Sequence, residues 1–256
     1  QRNGRLYASQ AFCAREQVLS SMNTEPVIHS PSSAMYMALG KSIEEQLLAA
    51  LDSKGSLLFS DYKIPDIPTL NVGGKIDGVV YVGNKIKALE IKSCGKLPSK
   101  PSSQHIAQAA TYAAVTGIPA QILYFSRSVA DFSGELQIKT FDVPFAEGIE
   151  SIISLATSHY ANEMGVIPNI PTKILFGNRK VCDNCAFKNY CFGDVKHFID
   201  DEINSEINSR AKIFADSFML EEEITKRRNG VLNHIRSYGT PAATRVLSQN
   251  RYSDLI

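Results

Sequence analysis

Apolar and polar positions change period several times along the chain. Residues 9–21, SQAFCAREQVLSS, fit a helix capped by Ser9 and carrying Cys13 and Arg15. Residues 30–55 fit a second helix. Pro31 opens it, Leu39, Ile43, Leu47 and Leu51 form one stripe, and Gly55 lies past its end. The period then shortens to two. SLLFSDYKI (56–64), LNVGGKIDGVVYV (70–82) and KIKALEIKS (85–93) predict strands, the last two joined by Gly83-Asn84, a dipeptide suited to a tight hairpin. Helical spacing returns in the alanine-rich SSQHIAQAATYAAVTG (102–117). AQILYFSR (120–127) and GELQIKTFDV (134–143) predict two more strands, and 144–165 another helix. From Gly193 onward, Val195, Ile199, Ile203, Ile207, Phe214 and Phe218 predict helix again, whereas 238–256 shows no clear period.

Antiparallel strands followed by a helical crossover and further strands predict an α/β domain, a mixed central sheet flanked by helices. That domain takes residues 1–192, and 193–256 form a helical C-terminal extension.

The hairpin raises a question of charge. Side chains alternate faces along a strand, so Leu89 and Ile91 point one way and Ala88, Glu90 and Lys92 the other. With a loop of only Gly83-Asn84, Val82 pairs with Lys85 and Asp77 falls opposite Glu90. Directly opposed like charges are destabilising. A divalent cation between them removes the penalty, since Mg²⁺ is held by one or two carboxylates with waters and phosphate oxygens. Lys92, next on the same face, suits the binding of developing negative charge or of an attacking water. The competing reading is a half-solvated strand, with Asp77 part of a turn and Glu90–Lys92 a surface pair.

Two helices add to that face. Gln104, Gln108 and Tyr112 recur every four residues on an otherwise apolar helix, as phosphate- or water-binding groups or as a plain polar edge. On the second helix Glu44 borders the apolar stripe and is the candidate third carboxylate, whereas Glu45, four residues after Lys41, reads as a solvated pair.

Cys182, Cys185 and Cys191, in VCDNCAFKNYCFG, give a C-x2-C-x5-C spacing that points to metal. A structural zinc or a 4Fe–4S cluster needs a fourth ligand, and Cys13 is the natural one. Cys94, directly after the ALEIKS strand, reads as a buried thiol.

Taken together, GKIDG, LEIKS and QHIAQAATY, framed by an early Cys and a late C-x2-C-x5-C, resemble the PD-(D/E)XK nucleases of the RecB type. More narrowly, they are similar to the CRISPR-associated RecB-like exonucleases with an iron–sulfur cluster and to their viral relatives, over roughly residues 5–192. The resemblance implies a restriction-endonuclease-like core. It implies Asp77 and Glu90 as ligands of Mg²⁺ or Mn²⁺ with the Ile91 carbonyl, Lys92 as catalytic lysine, and Gln108 and Tyr112 as a Q-x3-Y pair near DNA. Cys13, Cys182, Cys185 and Cys191 become the ligands of a 4Fe–4S cluster, with zinc as the alternative. Where the family often has the His of a G-x3-H motif, GKSIE puts Glu44. The implied activity is metal-dependent hydrolysis of DNA phosphodiesters, on single strands or free ends, in recombination or CRISPR adaptation. A rival reading is a non-cleaving subunit that binds DNA ends.

Composition leaves this picture in place. The 256 residues are 44% hydrophobic and 21% charged with a net charge of +1, enough for a real core and without a global basic field. No run approaches the roughly 18 apolar residues of a membrane span. QRNGRLYASQ has no apolar secretory segment, and the five cysteines are an odd number, so the expectation is a reducing, cytoplasmic setting in a prokaryotic cell or a virus-infected host. The amphipathic 193–256 segment is the expected surface for a protein partner or self-association.

Overall fold

The computed structural model describes residues 5–22, 31–65, 67, 69–127, 136–171, 174, 182–183, 185–192 and 199–256. A short strand β1 (Leu6–Tyr7) and a 3-10 turn lead into α1 (Ala14–Met22), and α2 (Pro31–Ser53) follows. Next come β2 (Leu57–Lys63), β3 (Val72–Gly73), β4 (Lys75–Val82) and β5 (Lys85–Cys94). Helix α3 (Ser103–Thr116) crosses over to β6 (Ala120–Ser126), which is followed by β7 (Ile138–Val143) and α4 (Glu147–Glu163). The cysteine region ends in α5 (Lys188–Phe192), which carries Cys191, and α6 (Asp201–Phe218), α7 (Glu221–Tyr238) and α8 (Pro241–Gln249) follow.

The main sheet has five strands in the order β2-β4-β5-β6-β7. Only β5 and β6 run parallel; the other neighbours are antiparallel. This is the expected mixed sheet flanked by helices. The parallel pair requires a crossover, and α3 supplies it. Its start is capped by Ser102, whose hydroxyl accepts from the His105 amide, and Gly117 ends it at φ +68°.

One sheet face packs on α2 through Leu48, Leu57, Val80, Leu89, Ile91, Leu123 and Phe125. The other builds the larger core with α3 and α4. That core also takes Ala211 and Ala215 of α6, Val231, Leu232 and Ile235 of α7, and Val246 and Leu247 of α8. Arg227 and Arg228 of α7 donate to the carbonyls of Ala114 and Gly117, at 3.2 and 2.7 Å, so two cations sit at the negative end of α3.

Several sequence expectations need correction. Cys13 lies just before the first helix rather than on it; its carbonyl accepts from Gln17 and opens α1 there. The expected strand 70–82 breaks at Gly74, because Val72–Gly73 pair with Leu6–Tyr7 in a separate small sheet. The aperiodic 238–256 holds α8, with the Thr240 side chain capping the Ala243 amide and Pro241 in the first turn. The start of the 134–143 strand and the 193–198 part of the last helix expectation lie outside the described residues.

Candidate active site

The hairpin is built as its turn dictates. Gly83 and Asn84 sit at φ +59° and +62°, the conformation of a two-residue I′ loop. Val82 pairs with Lys85, and the register runs unbroken to Gly78 opposite Leu89. Asp77 and Glu90 are the next positions on that register. There Asp77 Oδ2 accepts a 2.7 Å hydrogen bond from the Ile91 amide, which holds its carboxylate over β5.

Glu90 is only 2% exposed, so this face is not solvated. Its Oε1 lies 2.5 Å from Lys92 Nζ. Its Oε2 is buried without a hydrogen-bond partner. Lys92 also donates to Gln108 Oε1 at 3.1 Å. Gln108 Nε2 donates to Tyr112 OH at 2.9 Å, and Tyr112 OH donates to the Lys75 carbonyl at 3.0 Å. Donors and acceptors alternate along this line, so each group is oriented by the next. Two of the three Lys92 donors are used among the described residues, and one remains for water or phosphate.

The third carboxylate, Glu44, projects from α2 and accepts from Lys41 at 2.6 Å. The sequence paired Lys41 with Glu45 instead; the acids across the cleft draw the ammonium to the Glu44 side. The hydrogen bond to Glu44, with the charges of Asp61 and Asp77, holds the Lys41 proton more firmly than usual.

Electrostatics show that these acids share a space. Burial, reinforced by the Glu44 charge, pushes Asp77 up to about 6 against the Ile91 amide, Lys92 and Lys41. Burial and the Asp77 and Glu44 charges push Glu90 up to about 8 although Lys92 opposes them. Two ammoniums, Lys92 and Lys41, do not offset these three acids, and a further cation would. Burial, then the Glu90 charge, also raises the Tyr112 phenol, which stays protonated as a donor.

Two neighbours have no clear signal in the sequence. Asp61 stands between the pairs Ser60–Gly78 and Tyr62–Ile76, hence opposite Asp77, at φ +53° and 2.6 Å from Lys75. His105, one turn before Gln108, makes a 2.6 Å contact from Nδ1 to Tyr124 OH, and burial with the nearby Lys92 lowers it to about 4.

Gln104, the first residue of the polar stripe, faces elsewhere. It lines a small cavity with Cys13, Cys182, Cys185 and Cys191. These four cysteines meet there from both ends of the described core. Burial pushes Cys13 up to about 12 and Cys185 up to about 11, with neighbouring thiols adding to both. Cys94 is half-buried rather than buried, with its thiol donating to the Phe125 carbonyl at 3.2 Å. Among the described residues no group of three His, Cys, Asp or Glu side chains is placed to hold a metal ion. No described helix is long and apolar enough to cross a membrane.

No protein-family profile matches the chain, and no curated protein matches it in sequence. Among solved structures, it is similar to the crystal structure of SSO0001 at 14% identity and a TM-score of 0.49, covering 77% of this chain and 89% of that one. It is also similar to an alkaline exonuclease (LHK-Exo) from Laribacter hongkongensis at 17% identity and a TM-score of 0.46, covering 70% and 94%. The same exonuclease in complex with dAMP gives 17% identity and a TM-score of 0.45.

Proposed function

We propose that the protein is a metal-dependent DNA nuclease that hydrolyses phosphodiesters on single strands or free ends. One observation carries this reading: a 2%-exposed Glu90 keeps Oε2 without a partner beside Asp77, while its other oxygen meets Lys92. A buried carboxylate oxygen left bare costs free energy that a cation would recover.

Asp77, Glu90 and Glu44, with the Ile91 carbonyl, are the residues that would hold Mg²⁺ or Mn²⁺. The chemistry such an ion would supply is polarisation of the scissile phosphate and a water more easily deprotonated. The chain's own groups do the rest. The Ile91 amide fixes Asp77, and the line from the Lys75 carbonyl through Tyr112 and Gln108 fixes Lys92. Lys92 then presents a donor to the attacking water or to the charge growing on the phosphate. Cys13, Cys182, Cys185 and Cys191 are the donor set for a 4Fe–4S cluster, or for zinc, as a staple between the two ends of the described core. DNA processing, recombination or CRISPR adaptation is the setting such an activity fits.

The test incubates the purified chain with end-labelled single-stranded DNA in Mn²⁺ and in EDTA. Cleavage in Mn²⁺ alone, lost in Asp77→Asn, is the expected result. Metal-dependent binding without cleavage would reject the enzyme in favour of a binding subunit.

A further inference from the structure

A groove of about 990 Å³ lies between β2 and the α6–α7 corner, away from the Lys92 line. The outer edge of β2 is closed at its start, where Thr240 bonds the carbonyls of Leu57 and Leu58. From Phe59 onward the strand lines the groove. Phe59, Tyr62 and His234 form one aromatic wall, with ring centroids 5.4–5.7 Å apart. Opposite, the Arg227 guanidinium lies 3.8 Å from the Phe218 ring centre. Carbonyls of Ala114 and Phe218 anchor it, and its Nε is buried with no hydrogen-bond partner.

Charge at the rim favours an anion. Lys63 and Lys226 line the groove, and neither side chain has an ion-pair or hydrogen-bond partner among the described residues. The acids there are Glu223, which faces Arg227, and Asp61, already paired with Lys75 at 2.6 Å. Asp61 also joins the groove to the acidic cleft, since it stands opposite Asp77 on the sheet.

Stacking surfaces and free cations together recognise a chain of planar rings joined by anions. We propose that this groove holds single-stranded nucleic acid leading to the acidic cleft, with bases on Phe59 and His234, which the buried Tyr62 ring backs from the core, and phosphates at Lys63 and Lys226. The inference rests on the nuclease reading for the direction of the strand and adds a second contact surface to it.

The test uses the full chain and a DNA strand of about 12 nucleotides carrying 2-aminopurine, within the usual range of single-strand site sizes. Ca²⁺ replaces Mn²⁺ to slow cleavage during binding. The Lys63→Glu/Lys226→Glu variant should bind about tenfold more weakly or worse, with a salt slope shallower by roughly 1.4, the effect of two lost phosphate contacts. His234→Ala should relieve 2-aminopurine quenching. All three positions are exposed, so these variants should fold, and circular dichroism checks it. A wild type that cleaves in Mn²⁺, with unchanged binding and salt slope in the variants, would overturn the groove and leave the cleft intact. Charge-dependent binding without any cleavage by wild type would support the groove and overturn the enzyme reading. A groove that takes a peptide instead would leave DNA binding unchanged in every variant, which also overturns the inference.

Discussion

Replacing Glu90 by Gln isolates the electrostatic cost of the cleft. Gln keeps the size and an oxygen for Lys92, but it cannot ionise. In the folded chain Glu90 is pushed up to about 8 from an ordinary 4.5. Unfolding therefore releases a proton between those two values. Stability of the metal-free protein falls as pH rises through that window, at about 1.4 kcal/mol per pH unit, and flattens above it. Across the window the loss is about 5 kcal/mol, a large share of the roughly 5–15 kcal/mol that holds a domain folded. Asp77, pushed up to about 6, adds a loss of the same sign at lower pH in both proteins. The assay is urea unfolding of EDTA-treated protein from pH 5 to 8.5, followed by far-ultraviolet circular dichroism because the chain has no tryptophan. Wild type should lose stability more steeply than Glu90→Gln, and Mn²⁺ at high pH should restore wild type far more than the variant. Parallel pH curves for the two proteins would refute the buried-carboxylate argument.

Other substitutions probe the rest of the site. Lys92→Ala should cut cleavage by about 10²–10⁴-fold, read in a Mn²⁺ nuclease assay, with the far-ultraviolet spectrum unchanged. Tyr112→Phe removes the donor to the Lys75 carbonyl and should cost about 0.5–1.5 kcal/mol in urea unfolding, with kcat lowered more than KM. Gly117→Ala sets a side chain at φ +68° with its Cβ 2.7 Å from the Ile224 carbonyl, and should lower the urea midpoint by the equivalent of about 1–3 kcal/mol. Protein purified without air should be brown and lose visible absorption in Cys191→Ser; a colourless wild type that carries zinc by elemental analysis would assign zinc instead.

The cleft was legible where local rules govern it. Gly83-Asn84 permits few loops, so its register carries Asp77 to the position facing Glu90. Gln108 and Tyr112 were legible because helical spacing puts them on one face. Asp61 was not, since it meets Asp77 only through the β2–β4 pairing, whose register no short turn dictates. Lys41 lies within reach of both Glu44 and Glu45, and only the tertiary field chose Glu44. Helix α8 shows no clear period because it spans only nine residues, although Thr240-Pro241 is a readable start.

Helix α3 works as a camshaft. Turn by turn it offers Gln104 to the cysteines, Gln108 to Lys92, Tyr112 to the Lys75 carbonyl, Val115 to the aromatic groove and the Gly117 carbonyl to Arg228. One residue inserted after Gln104 would rotate every later lobe by about 100° and mistime them all at once. Length along this rod is therefore the least negotiable dimension of the protein, and changes of residue type there will be tolerated more often than changes of spacing.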